Sequence, residues 1–140
     1  MSNTLPAAEE MNYFKTSRKS PDTWLEKCVV EIQEAGGTVR MQAKGYEYGR
    51  QAYALEFILE GNPYRVVWPI LPCNDGNETA ADRQAATMMY HDIKARAMKA
   101  KIFGSKTAFF DFQLLPDGRT AAMLTNNELV EYQPKLLTGE

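Results

Sequence analysis

An α+β fold is predicted: a two-layer sandwich of a helix, a three-stranded antiparallel meander and a second helix, with a further strand and turn appended on the C-terminal side. Three observations predict it. Apolar residues recur at three- and four-residue steps in two stretches, 25–32 and 86–100, as one face of a helix requires. Between them the apolar period falls to two over residues 38–60, the pattern of half-buried strands. Glycines and prolines stand at the joins, where the chain must reverse.

Taken in order, residues 1–19 (MSNTLPAAEEMNYFKTSRK) are mostly small and polar around one aromatic pair, Tyr13 and Phe14, and are expected to be a flexible tail or a docked arm. The folded domain is expected over residues 20–133, with 134–140 frayed. Ser20-Pro21-Asp22 supplies a capping hydroxyl, a proline at the first helical position and an acid in the first turn. Leu25, Cys28, Val29 and Ile32 then form an apolar stripe, and Gly36-Gly37 ends a helix of residues 21–35. Val39, Met41 and Ala43 alternate with Arg40, Gln42 and Lys44 in a first strand. Tyr53, Leu55, Phe57 and Leu59 alternate in a second. Gly61-Asn62 offers a positive-φ pair for a tight hairpin into a third strand, residues 63–68, and Pro69 and Pro72 end the pairing. A long second helix is expected over residues 78–102, with Ala86, Met89, Tyr90, Ile93, Ala97 and Ala100 on one face, stopped by Gly104. Residues 107–115 (TAFFDFQLL) read as a strand, Pro116-Asp117-Gly118 as a turn, and residues 126–132 as a short helix.

Composition bounds the function. The 140 residues suit one domain, and 44% hydrophobic with 24% charged residues is ordinary globular usage. The longest apolar runs are far shorter than a membrane span needs and no signal segment opens the chain, so a cytoplasmic protein without a membrane partner is expected. Cys28 and Cys73 are too few and too far apart for a disulfide framework or a zinc site. The net charge of −2 hides an asymmetry: Lys94, Arg96, Lys99, Lys101 and Lys106 fall in one stretch without an acid, and removing those five charges leaves −7 on the rest.

Over residues 21–102 the element order resembles the double-stranded-RNA-binding domain and the core of single-strand annealing proteins. Where the RNA-binding family carries a basic cluster at the start of its last helix, this chain reads Asn77-Glu78-Thr79-Ala80-Ala81-Asp82, so that phosphate clamp is missing. The pieces NYFK (12–15), RQAA (83–86) and LLPDGRT (114–120), in this order, look like a family of small uncharacterised phage and prophage proteins. That resemblance implies a viral or mobile-element origin near replication or recombination, and brings no catalytic residue with it.

Two surfaces are candidates for binding. The near-palindrome KGYEYGR is expected to be an exposed connection between the first two strands, where Tyr46 and Tyr48 can stack on bases while Lys44 and Arg50, with Arg40 nearby, meet phosphates. Rings folded back on the sheet and solvated edge cations are the competing reading. Along the second helix, Arg83, Lys94 and Lys101 lie on one flank and Arg96 and Lys99 on the other, with Lys106 beyond. Such cations can grip a phosphate backbone, or merely complement the helix dipole. No catalytic constellation is found. His91 lacks an orienting partner, and the pairs Asp111/Asp117 and Glu56/Glu60 lack the further ligands a metal needs. The expectation is therefore a non-enzymatic nucleic-acid-binding protein without cofactor. The alternative is a protein-interaction module, an inhibitor or adaptor acting on a host or phage protein, whose acidic remainder and last strand, bearing Phe109 and Phe112, meet a partner or a second copy.

Overall fold

In the computed structural model, residues 5–47 and 50–124 are described. Helix α1 (Pro21–Glu34) leads into strands β1 (Thr38–Glu47), β2 (Arg50–Leu59) and β3 (Asn62–Pro69), and then into the long helix α2 (Glu78–Phe103). The three strands pair antiparallel in the order β1-β2-β3, so the sandwich expected from periodicity is the one that forms. One sheet face carries Tyr53, Leu55, Phe57, Leu59, Tyr64 and Val66. These pack into a single core with Leu25, Cys28 and Ile32 of α1 and Ala86, Met89 and Ile93 of α2. No described helix is long and apolar enough to cross a membrane.

The ends of α1 follow from its sequence. Ser20 Oγ accepts the Thr23 amide at 3.3 Å and Pro21 occupies the first helical position. At the other end Gly36 adopts φ +96°, and the Gly37 amide bonds Ile32 O at 2.9 Å. A Cβ on Gly37 would lie 2.7 Å from Ile32 Cγ2, so close passage requires glycine at 37 while the turn requires it at 36.

Four sequence expectations are corrected. The alternation along β1 is broken by a bulge between Val39 and Met41, which keeps Val39 opposite Phe57 but moves Met41 and Ala43 opposite Glu56 and Ala54, on the other face. The β2–β3 turn sits one residue early: Glu60 and Gly61 take the positive φ values, 52° and 79°, and Leu59 pairs with Asn62. Most of the KGYEYGR segment is strand and not loop, because the ladder continues through Lys44–Tyr53 and Tyr46–Gln51 to Glu47–Arg50, while residues 48 and 49 lie outside the described residues. Finally, residues 107–115 do not form a strand. Gly104 (φ +93°) breaks α2, a short helix α3 (Ser105–Ala108) follows, and Phe110–Phe112 make a 3-10 turn. The physical reason is anchoring. Ser105 donates its amide to Glu60 Oε1 at 2.6 Å and shares a 2.8 Å hydrogen bond with Tyr64 OH, while Phe109 is drawn into the core 5.2 Å from Phe57. Only Gln113 and Leu114 then make isolated bridges, to Tyr64 and Thr120. The helix expected over residues 126–132 lies outside the described residues.

Residues 5–19 lie against the core as an arm. Ala8 and Phe14 are buried, and the fully buried Gln84 donates Nε2 to Ala8 O (2.8 Å) and Asn12 O (2.9 Å). The NYFK and RQAA pieces thus meet in space: one supplies the arm, the other the side chain that fastens it.

Candidate nucleic-acid interface

The predicted site residues divide among several places. Arg40, at the bulge, donates to Glu56 Oε2 at 2.8 Å, and Glu56 also holds Arg65. Lys44 bridges β1 to the start of α2 through Asp82 Oδ2 at 2.9 Å, with its ammonium 5.8 Å from the Tyr53 ring. Tyr46 is 74% exposed at the end of the hairpin. Arg50, half-buried, lines a cleft of about 310 Å³ with Tyr46, Glu78 and Asp82, and Tyr48 lies outside the described residues. Arg83 is half-buried near the start of α2.

Arg96 is the clearest departure. Its guanidinium donates to Asp92 Oδ2 (2.9 Å), to Ala108 O (3.0 Å) and in a fork to both oxygens of Asp111 (2.6 and 3.0 Å), and it lies 4.7 Å from the Phe112 ring centroid. All three guanidinium nitrogens donate inside the molecule, so this cation belongs to the fold. The same contact covers Phe112 while Phe109 is buried, and the expected aromatic patch on a last strand is therefore not formed. Lys94, Lys99 and Lys101 remain exposed and Lys106 is half-buried. At 1.5 Å per residue, Arg83 and Lys101 stand roughly 27 Å apart along α2, so they do not share one contact point.

A different constellation is assembled where the arm and α1 lie beside the middle of α2. Trp24 packs 5.2 Å from Tyr90 and 5.8 Å from His91, and Tyr13 stacks on His91 at 5.2 Å with ring planes 21° apart. Three ammonium groups stand over these rings. Lys19 lies 5.4 Å from the Trp24 centroid, Lys27 lies 5.7 Å from both Trp24 and Tyr90, and Lys94 lies 6.0 Å from Tyr90. None of the three has a salt-bridge partner among the described residues, and the exposed Lys15 and Arg18 continue the basic arm. Trp24 Nε1 donates to Ser17 Oγ at 3.2 Å, and that hydroxyl meets Thr87 Oγ1 at 2.5 Å, fixing the arm beside the rings. Tyr13 holds φ +71°, an uncommon backbone for a tyrosine, and the surrounding packing maintains it.

No protein-family model, curated protein or solved structure matches the chain.

Of the predicted residues, only Lys94 belongs to this patch. Lys27 and Trp24, and Lys94 and Tyr90, follow helical three- and four-residue spacing, a signal present in the sequence. What the sequence did not carry is that α1, α2 and the arm converge there.

Two further groups have structural explanations. Glu9, Cys73 and Asp75 place their ligand atoms within 4.8 Å of one another. The Glu9 carboxylate accepts the amides of Asn74 (3.2 Å) and Asp75 (2.8 Å), and Asp75 accepts the Asn77 amide (2.8 Å), so the cluster clamps the loop before α2. The Cys73 thiol and the Asn77 amide hold Asp75 below its ordinary range, in that order, while desolvation and Asp75 raise Cys73. Burial pushes the Cys28 thiol to about 12, leaving it protonated and inert as a nucleophile at neutral pH.

Proposed function

We propose that this protein binds single-stranded nucleic acid without catalysis, through the surface formed by the arm, α1 and the middle of α2. Tyr13 and His91 form an outer stack that an unpaired base extends, with Trp24 and Tyr90 behind it. Lys19, Lys27 and Lys94 then meet the phosphates on either side. The observation that carries this reading is the gathering of three ammonium groups within 6.0 Å of two ring centroids, none of them in a salt bridge among the described residues. Like charges held together raise the local positive potential, and a polyanion relieves that cost by neutralising all three. Ring faces favour unpaired bases, because a duplex hides its own. The acidic start of α2, Glu78 and Asp82, supports the same choice over duplex RNA. The phage resemblance, with its replication or recombination setting, supplies a context in which exposed single strands occur.

The test is fluorescence anisotropy of a labelled oligothymidylate across a salt series. Three phosphate contacts give a slope of about −2 in log K against log salt. Changing Lys19, Lys27 and Lys94 together to glutamate should abolish binding, and Tyr13→Ala should weaken it at least about fivefold through lost stacking, worth about 1–3 kcal/mol per base. Unchanged affinity in the triple variant refutes the reading.

A further inference from the structure

The last turns of α2 carry a second, separate surface. Met98, Ile102 and Phe103 are 60%, 73% and 65% exposed. Met98 and Ile102 are one helical turn apart, and Phe103 adjoins the break at Gly104. Three large side chains exposed to this degree at one helix end present on the order of 400 Å² of apolar surface, within the range of the largest apolar patch on a typical monomer, which is often functional. Around it stand Lys99, Lys101 and Lys106, and none of these ammonium groups has a salt-bridge partner among the described residues. Beside Phe103 lies a shallow cleft lined by Glu60, Gly61, Asn62, Gly104, Ser105 and Lys106, which offers room for one incoming side chain.

We infer that the C-terminal end of α2 docks an acidic amphipathic helix of another protein. An apolar centre with a lysine rim is complementary to a helix whose apolar anchors, at i, i+3 or i+4 and i+7, are flanked by glutamate or aspartate. A second copy in a two-fold contact is disfavoured by the same charges, since the patch would meet itself and bring the rim lysines of both copies together. The dipole reading of these lysines leaves the apolar residues unexplained. Cations settle a helix end without Met98, Ile102 and Phe103 being in water. This surface and the stacking patch are separable, because no residue of one is needed in the other.

The probe is a synthetic helical peptide with leucines at i, i+3, i+4 and i+7 and glutamates elsewhere on its surface. A control peptide has lysine at every glutamate position. Labelled peptide is titrated with the full chain and followed by anisotropy. The acidic peptide should bind and the basic one should not. Met98→Ser, Ile102→Ser and Phe103→Ser combined should lower affinity at least tenfold, as should Lys99→Glu with Lys101→Glu. All five positions are exposed, and an unchanged urea midpoint shows that folding is intact. Equal binding of both peptides, or undiminished binding by the serine variant, overturns the inference. So does a wild-type chain that ignores the acidic peptide but dimerises in sedimentation, or that co-sediments with anionic phosphatidylglycerol vesicles, in a manner the serine variant loses. Oligothymidylate binding should survive the serine changes, which keeps the two surfaces experimentally distinct.

Discussion

Replacing Arg96 with alanine removes four hydrogen bonds and a ring contact at once, and this substitution separates a structural cation from a binding one. The i,i+4 pair with Asp92 and the fork to Asp111 are both partly open to solvent, Asp111 at 45%, so each contributes only about 0.5 kcal/mol after screening. The charged bond to Ala108 O adds about 1 kcal/mol. The guanidinium over Phe112, 4.7 Å from its centroid, and the packed stem add about 1 kcal/mol more. The sum is about 3 kcal/mol, or roughly 9 °C in Tm for a domain of this size. Arg96→Lys keeps a charge but loses the fork and the flat contact, and should recover no more than half. Urea unfolding followed by circular dichroism measures both, and anisotropy with oligothymidylate should show unaltered affinity for the folded variants. A loss below about 1 kcal/mol for Arg96→Ala, or a matching loss of nucleic-acid affinity, refutes the assignment of Arg96 to the fold.

Gln84→Glu sets a carboxylate against the carbonyls of Ala8 and Asn12 inside the core, and should cost about 3 kcal/mol or more. Limited proteolysis should then cut within residues 5–19 before the rest of the chain, whereas simultaneous loss of all segments would mean that the arm is not a separable latch. Alkaline pH should destabilise the fold from about pH 9. Burial raises the Cys28 thiol from 9.0 to about 12 and the Tyr53 phenol from 10.0 to about 12, so below pH 9 both groups are neutral in either state and nothing is lost. Above it the unfolded chain ionises first, and stability falls as pH rises towards 12, by an upper bound of about 4 kcal/mol for the thiol. Urea midpoints at pH 7, 9 and 10.5 measure this, and Cys28→Ala should flatten the part of the slope that belongs to Cys28.

The parts of this fold legible in the sequence are those set by local rules. Ser20-Pro21 capping, the 25–32 stripe and the alternation of β2 each depend on neighbours within a few residues, and each appears where the pattern puts it. The bulge at Arg40 was hidden because apolar and polar residues continue to alternate through it. Inserting one residue moves Met41 and Ala43 to the other face without disturbing the written pattern. Residues 107–115 misled for the opposite reason. Three phenylalanines look like a strand, yet a buried Phe109 and an amide bond from Ser105 to Glu60 are tertiary demands, and they outweigh β-propensity in a segment beside a helix end.

Charge shows the same dependence on tertiary contacts. Counting cations along the chain selects residues 94–106, but a count cannot distinguish Arg96, spent on Asp92 and Asp111, from Lys94, whose ammonium stands over the Tyr90 ring without a salt bridge among the described residues. Nor can it join Lys19 and Lys27 to Lys94, which are about 70 residues distant in the sequence and become neighbours only when α1 lies beside α2. Glu26 and Glu31 share α1 with Lys27, and neither forms a salt bridge with any of these lysines. A cation over an aromatic face is itself favourable, and three of them together, without salt bridges among the described residues, are the arrangement the proposed surface uses to meet phosphate and bases together.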